Sequence, residues 1–209
     1  MQNTILQNSE AIRAADFFRE LHRHQFRKDN IRPYFVHLQD VAWRLARAGV
    51  EDVDVIVAGY GHDSLEDIYS AQAGEAAGFE ILRREFGERA ALIIEELTDV
   101  YTKQNYPALN RKQRKQLERE RYKLFTPQAR LVKLADIASN LADDGQVKLT
   151  DNSPEVGFNR IYIREKSLCL PYLAPTGAEN QEPYYPATLR LFFEANEILE
   201  EKRAKLGIK

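Results

Sequence analysis

Apolar residues recur at intervals of three and four along almost the whole chain, a period that suits helices and disfavours strands. Ile12, Ala15, Phe18 and Leu21 mark a first amphipathic segment, Val41, Leu45 and Ala46 a second, and Val53, Ile56, Val57 and Tyr60 a third. Further helical runs are predicted over about 78–86, 88–100, 110–125, 127–142, 155–170 and 184–205, punctuated by Gly87, Pro107, Pro127, Pro154 and the stretch from Pro171 to Pro186. Strand-type alternation is nearly absent, so the expected fold class is all-α. With 209 residues, 44% of them hydrophobic, the chain is long enough for one well-filled core and short for two; a single domain over 1–209 is expected.

Composition narrows the function classes. A formal net charge of −2 gives no global attraction to nucleic acid or to an anionic membrane, so any anion site must be local. The one cysteine, Cys169, rules out an internal disulfide, and its Leu168-Cys169-Leu170 setting suits a packed, inert thiol. The N-terminal stretch lacks the basic start and long apolar run of a secretory signal, and no segment approaches the roughly 20 apolar residues that span a bilayer. A cytoplasmic protein without a membrane partner is expected, and its oligomeric state is left open.

The polar residues within this apolar pattern carry the chemistry. His37 stands 25 residues before the block His62-Asp63-Ser64-Leu65-Glu66-Asp67, and Asp136 follows in Lys133-Leu134-Ala135-Asp136, with Asn140 one turn later. An adjacent His-Asp pair can put an imidazole nitrogen and a carboxylate oxygen on one cation, with a distant His and a distant Asp completing its shell. His37, His62, Asp63 and Asp136 are thus candidate ligands of a divalent metal. On a continuous α-helix His62, Asp63, Glu66 and Asp67 fall on one face roughly 140° wide, where the acids repel one another until a cation or proton intervenes. Asp52 or Glu51 is positioned to cap the helix leading to His62, and Thr126-Pro127 to open the helix that carries Asp136. Ligands from three helices can converge inside a bundle. His22 and His24 lack such a context and read as surface or helix-packing residues.

These residues resemble the HD-domain phosphohydrolase superfamily, and more narrowly the hydrolase domain of the RelA/SpoT homologue family with its free-standing small alarmone hydrolases. The similarity runs over residues 12–142. It rests on Arg27-Lys28 ahead of Pro33-Tyr34-Phe35-Val36-His37, on Gly61-His62-Asp63-Ser64-Leu65-Glu66-Asp67, and on Lys133 to Asn140. The Glu-Asp pair after His-Asp is the discriminating part. The resemblance implies an HD-type helical bundle with Mn²⁺ held between helices by His37, His62, Asp63 and Asp136. It implies Glu66 and Asp67 as the catalytic carboxylates that position or deprotonate water. By the same resemblance the substrate is a guanosine nucleotide bearing a 3′-pyrophosphate, with Arg27 on the base, Lys28 on the phosphates and Asn140 near the sugar.

The chain also departs from the family pattern. Asp29-Asn30-Ile31-Arg32 is one residue longer than the usual link between Arg-Lys and Pro-Tyr, and Ile137 and Ser139 replace the Arg and His that commonly follow the last Asp motif. The family's synthetase motifs are absent. Arg111 to Lys123 supplies seven cations against two glutamates, which reads as a solvated helix face from which one or two cations reach a polyphosphate. With Tyr122 as its only aromatic, this run argues against a nucleic-acid surface. Two other readings fit the residues: a phosphohydrolase acting on an adenine alarmone, NADPH or a deoxynucleotide, and a non-catalytic nucleotide or nucleic-acid binding protein.

Overall fold

The computed structural model describes residues 4–143 and 154–208. Asn8 opens the first helix, its side chain accepting from the Glu10 amide at 2.8 Å, and α1 (Ser9–Leu21) turns Ala11, Ala14 and Phe18 inward. Next come α2 (Phe35–Arg47) and α3 (Val53–Gly61). Every residue of α3 from Val55 to Gly61 is buried, because α1, α2, α6 (Glu88–Leu97) and α8 (Pro127–Ala142) pack around it. A helix covered on all sides needs no polar face.

The α-period breaks after Gly61. His62 caps α3, and Leu65–Tyr69 follows as a π-helical turn running into the short α4 (Ser70–Gln72). The acids of this block therefore do not share one continuous α-helical face, as the sequence period suggests. Single π turns widen a helix locally and re-aim the side chains on it. Gly61 has a steric reason to be glycine: a Cβ there would lie 2.5 Å from Phe18 Cζ and 2.7 Å from Ile94 Cδ1. α1 and α6 thus both close on α3 at the residue just before His62.

The remaining helices follow the predicted spans closely. α5 (Glu75–Phe86) is separated from α6 by Gly87 at φ 84°, a left-handed conformation that glycine adopts without strain. α6 stops at Leu97 rather than near 100, since Thr98 is extended and folds its hydroxyl back onto the Ile94 carbonyl. α7 (Arg111–Tyr122) starts from a capping box of Asn110 and Gln113, and Thr126 caps α8 with Pro127 in its first turn. α9 (Pro154–Leu173) continues through Pro171, three residues beyond the predicted end, and α10 (Tyr185–Lys205) lies along α8. The described residues hold no strand; Phe26 and Pro33 make one isolated antiparallel bridge. No helix among them is long and apolar enough to cross a membrane. Cys169 is buried.

Candidate metal centre

Three helices deliver side chains to one point. His37 enters from α2, His62 and Asp63 from the end of α3, and Asp136 from the middle of α8. His62 Nε2 lies 3.0 Å from Asp63 Oδ2 and 3.7 Å from Asp136 Oδ1, and His37 Nε2 lies 3.4 Å from Asp136 Oδ1 and 3.7 Å from Asp63 Oδ2. Donor atoms of His37, His62 and Asp63 all fall within 4.8 Å of one another, a spacing that one cation can bridge.

The outer nitrogens orient both rings. His62 Nδ1 donates to the Gly59 carbonyl at 3.0 Å, so its Nε2 points at the carboxylates, and His37 Nδ1 lies 3.0 Å from Ser139 Oγ. Both Nε2 atoms are buried without a hydrogen-bond partner, which is expensive unless something at the centre meets them. Burial lowers the basicity of His62, yet Asp63 and Asp136 overcome it and raise its pKa to about 10. The carboxylates thus favour positive charge at this point, and a divalent cation supplies it as a proton does. Imidazole and carboxylate together suit a first-row divalent ion. The residues present fit such a group.

The carboxylates are themselves held. Tyr34 donates its hydroxyl to Asp63 Oδ2 at 2.6 Å, while Asp136 pairs with Lys133 Nζ at 3.2 Å and accepts from Asn140 Nδ2 at 2.5 Å. Outer partners of this kind set ligand direction in metal sites. Glu66 and Asp67 leave the π turn in different directions. Glu66 Oε2 faces the Asp99 amide at 3.5 Å, and Asp67 Oδ2 accepts from Gln25 Nε2 at 2.7 Å. Burial, then Asp99 and Asp63, push Glu66 up to about 7; burial and Asp63 push Asp67 up to about 6. A carboxyl group near 7 can hold or release a proton at neutral pH.

The nucleotide-contact candidates sit beside this cluster. Arg27 is 3% exposed despite the longer link, because Asp29 takes the amides of Ile31 and Arg32 in a tight turn and Arg27 returns inward. Its guanidinium bonds Asn140 Oδ1 at 2.8 Å and Asp143 Oδ2 at 3.1 Å. Asn140 therefore joins Arg27 to Asp136. A cavity of about 370 Å³ opens beside His37 and Ser139 and is lined also by Arg27, Arg32 and Arg44. Lys28 lies 5.9 Å above the Tyr162 ring and Lys166 5.1 Å from it, and Lys28 is held below its usual pKa by burial and by Arg27, Lys166 and Arg111. The basic run on α7 is largely paired: Arg111 with Glu165, Lys115 with Asp99, Arg121 with Glu118 and Lys123 with Glu120. Its expected role as a solvated face holds only in part, since Glu118 and Arg119 are buried.

Sequence reasoning missed His22, Tyr34, Ser139, Lys133 and Tyr162 as parts of the site. Of the two roles read for His22, packing holds and surface does not: it is 1% exposed, stacks on Tyr34 with centroids 5.5 Å apart, and feels the charge of Asp63. Burial lowers its pKa below the ordinary value, leaving it neutral at pH 7. His24 is exposed, in line with the surface reading.

A His-Asp pair on one helix end, with a His and an Asp from two other helices, is the arrangement for which HD domains are named, and the HD domain family model matches residues 14–150. The chain belongs to the HD domain family. Among the relatives of this HD domain are the guanosine-3′,5′-bis(diphosphate) 3′-pyrophosphohydrolases MESH1 of Xenopus tropicalis and Homo sapiens. The first is 36% identical over 134 residues, 63% of this chain and 68% of the relative; the second is 35% identical over 137 residues, 65% and 69%. A solved structure described as a metazoan ortholog of SpoT that hydrolyzes ppGpp superposes on the HD domain with a TM-score of 0.71 at 25% identity, covering 97% of this chain and 98% of that one.

Proposed function

We propose that this HD domain is a Mn²⁺-dependent hydrolase that removes the 3′-pyrophosphate of guanosine alarmones, yielding GDP or GTP and pyrophosphate. The observation that carries the reading is the pair Glu66 and Asp67, solvent-facing beside the His/Asp cluster and set apart from it by the π turn, so that acids remain for water once the cluster holds an ion. The activity named for the MESH1 relatives supports the same reaction.

In this reading His37, His62, Asp63 and Asp136 hold the metal. When bound, the ion supplies Lewis acidity toward a phosphoryl oxygen and toward water. The rest is done by side chains of the chain. Glu66, with a pKa near 7, accepts a proton from the water that attacks phosphorus, and Asp67 orients that water. The bond from phosphorus to the ribose 3′ oxygen breaks, that oxygen takes up a proton, and pyrophosphate leaves carrying the oxygen of the water. Arg27, Lys28 and Asn140 form the nucleotide side of the site. Lys28 and Lys166, both over the Tyr162 ring, offer the countercharge that a polyphosphate needs.

The test is to incubate purified protein with ppGpp, pppGpp, NADPH, an adenine alarmone and deoxynucleotides, with Mn²⁺ or with chelator, and to separate the products. Release of pyrophosphate from the 3′-pyrophosphorylated guanosine nucleotides with Mn²⁺ is expected. Orthophosphate release from another nucleotide, with ppGpp untouched, overturns the reading.

A further inference from the structure

The segment from His22 to Tyr34 leaves α1, turns back on itself and enters α2, and its hydrogen bonds make it a clamp. The Gln25 amide donates to the His22 carbonyl at 2.9 Å, the Tyr34 amide donates to the Gln25 carbonyl at 2.9 Å, and the Arg27 amide donates to the Arg32 carbonyl at 2.9 Å. Backbone bonds thus bring Gln25 and Tyr34 side by side, and each reaches a different acid: Tyr34 takes Asp63, Gln25 takes Asp67.

Gln25 cannot choose its orientation alone. The Asp67 carboxylate only accepts, so the amide of Gln25 must turn its NH₂ toward Asp67 and its oxygen the other way. That oxygen lies 2.5 Å from His22 Nδ1. An amide oxygen only accepts as well, so His22 must carry its proton on Nδ1. His22 in turn is fixed by burial and by its face-to-face stack on Tyr34, with ring planes 16° apart. The proton on one buried imidazole therefore determines which end of Gln25 meets Asp67.

We propose that His22 is a positioning residue that works through Gln25 to hold Asp67 in its water-orienting direction. The proposal rests on the reading of Asp67 given above. It explains why a neutral, buried histidine stands at the end of α1 with no contact to bulk water. It also explains why Asp67 faces Gln25 while Glu66, from the same turn, faces Asp99.

Two measurements test it, and the first does not depend on the substrate. In ¹⁵N-histidine NMR of the full chain, His22 should be in the Nδ1–H tautomer. Gln25→Met and Asp67→Ala should each abolish that single tautomer, the second by removing the acceptor that orients Gln25. An Nε2–H tautomer in the native chain, or a His22 signal indifferent to Asp67→Ala, overturns the relay. The second measurement is kinetic. His22→Phe keeps the stack on Tyr34 and deletes the donor, and Gln25→Met, at a half-exposed position, deletes the link with little risk to folding. Each should lower kcat by roughly ten- to a hundred-fold, with KM and Mn²⁺ affinity unchanged. The double variant should match either single one, and neither substitution should lower kcat further in an Asp67→Asn background. Additive losses, loss of metal, or a deficit that persists without the Asp67 carboxylate overturns the proposal. Should the native chain release no pyrophosphate, the functional reading fails while the NMR result still decides the relay.

Discussion

Ser139 Oγ lies 3.0 Å from His37 Nδ1, so a serine on α8 orients the imidazole that α2 sends to the metal centre. Both residues are buried, at the wall of the cavity that Arg27, Arg32 and Arg44 also line. Donation from Nδ1 to the serine leaves Nε2 with its lone pair toward Asp136 and Asp63, as a cation needs. Ser139→Ala should therefore weaken Mn²⁺ binding by roughly ten- to a hundred-fold while the helical content is retained. Calorimetric titration with Mn²⁺ measures it, and unchanged affinity would show that packing alone aims the ring.

Acidification should suppress activity through Glu66. Its pKa is raised from 4.5 to about 7 by burial, Asp99 and Asp63, so the form able to take a proton from water is lost as pH falls through that region. In the metal-free protein the same shift has the opposite sign for stability. The folded state holds a proton on Glu66 between 4.5 and about 7 that the unfolded chain has released, so stability from this group is full below 4.5 and lost as pH rises toward 7. Thermal melts of the metal-free native chain and of Glu66→Gln across that window should diverge, the variant losing less stability as pH rises. Parallel curves would remove Glu66 from both roles.

Gly61→Ala tests whether the close approach of α1 and α6 to Gly61 sets the start of the site. The added methyl would meet Phe18 and Ile94 inside 3 Å, an overpacking that costs about 1–3 kcal/mol. Because His62 is the next residue, metal affinity should fall together with melting temperature. A destabilised variant with native metal affinity would mean that His62 is placed by its bond to Gly59 instead.

Much of this was legible in the chain itself, for identifiable reasons. The three-four apolar period survives in every long helix because each buries a stripe or more, and the caps at Asp52 and Thr126 are local chemistry. His37, His62, Asp63 and Asp136 stand out because imidazoles and acids are costly inside apolar runs. The π turn was not legible: it follows Gly61, where Phe18 and Ile94 close in from 43 and 33 positions away, and no local period reports such contacts. His22 was hidden for a similar reason. Its neighbours Gln25 and Tyr34 meet it only after the chain reverses, and its effect on Asp67 spans 42 residues from Gln25 onward. Tyr162 and Lys166 reach the site from α9 across a separation no local pattern reveals.

The four carboxylates should divide into ligands and catalysts. Asp63 and Asp136 each place an oxygen within 3.7 Å of both imidazole Nε2 atoms, whereas Glu66 and Asp67 are engaged with Asp99 and Gln25. Asp63→Asn or Asp136→Asn removes a negative oxygen from the cation's own shell, so metal affinity should fall and excess Mn²⁺ should restore much of the activity. Glu66→Gln and Asp67→Asn leave that shell intact. Their metal should stay bound while kcat falls, by an amount of order 10²–10⁴ for a group that takes a proton in the transition state, and added Mn²⁺ should not restore it. Asp136→Asn should also lower stability, because Lys133 would be left buried against a neutral amide. Glu66→Gln should raise stability in the metal-free protein near neutral pH, since the neighbouring acids Asp99 and Asp63 oppose its charge. Metal titration, steady-state kinetics and thermal melts on the four variants separate these effects, and equal metal loss in all four would show that Glu66 and Asp67 share the ion with Asp63 and Asp136.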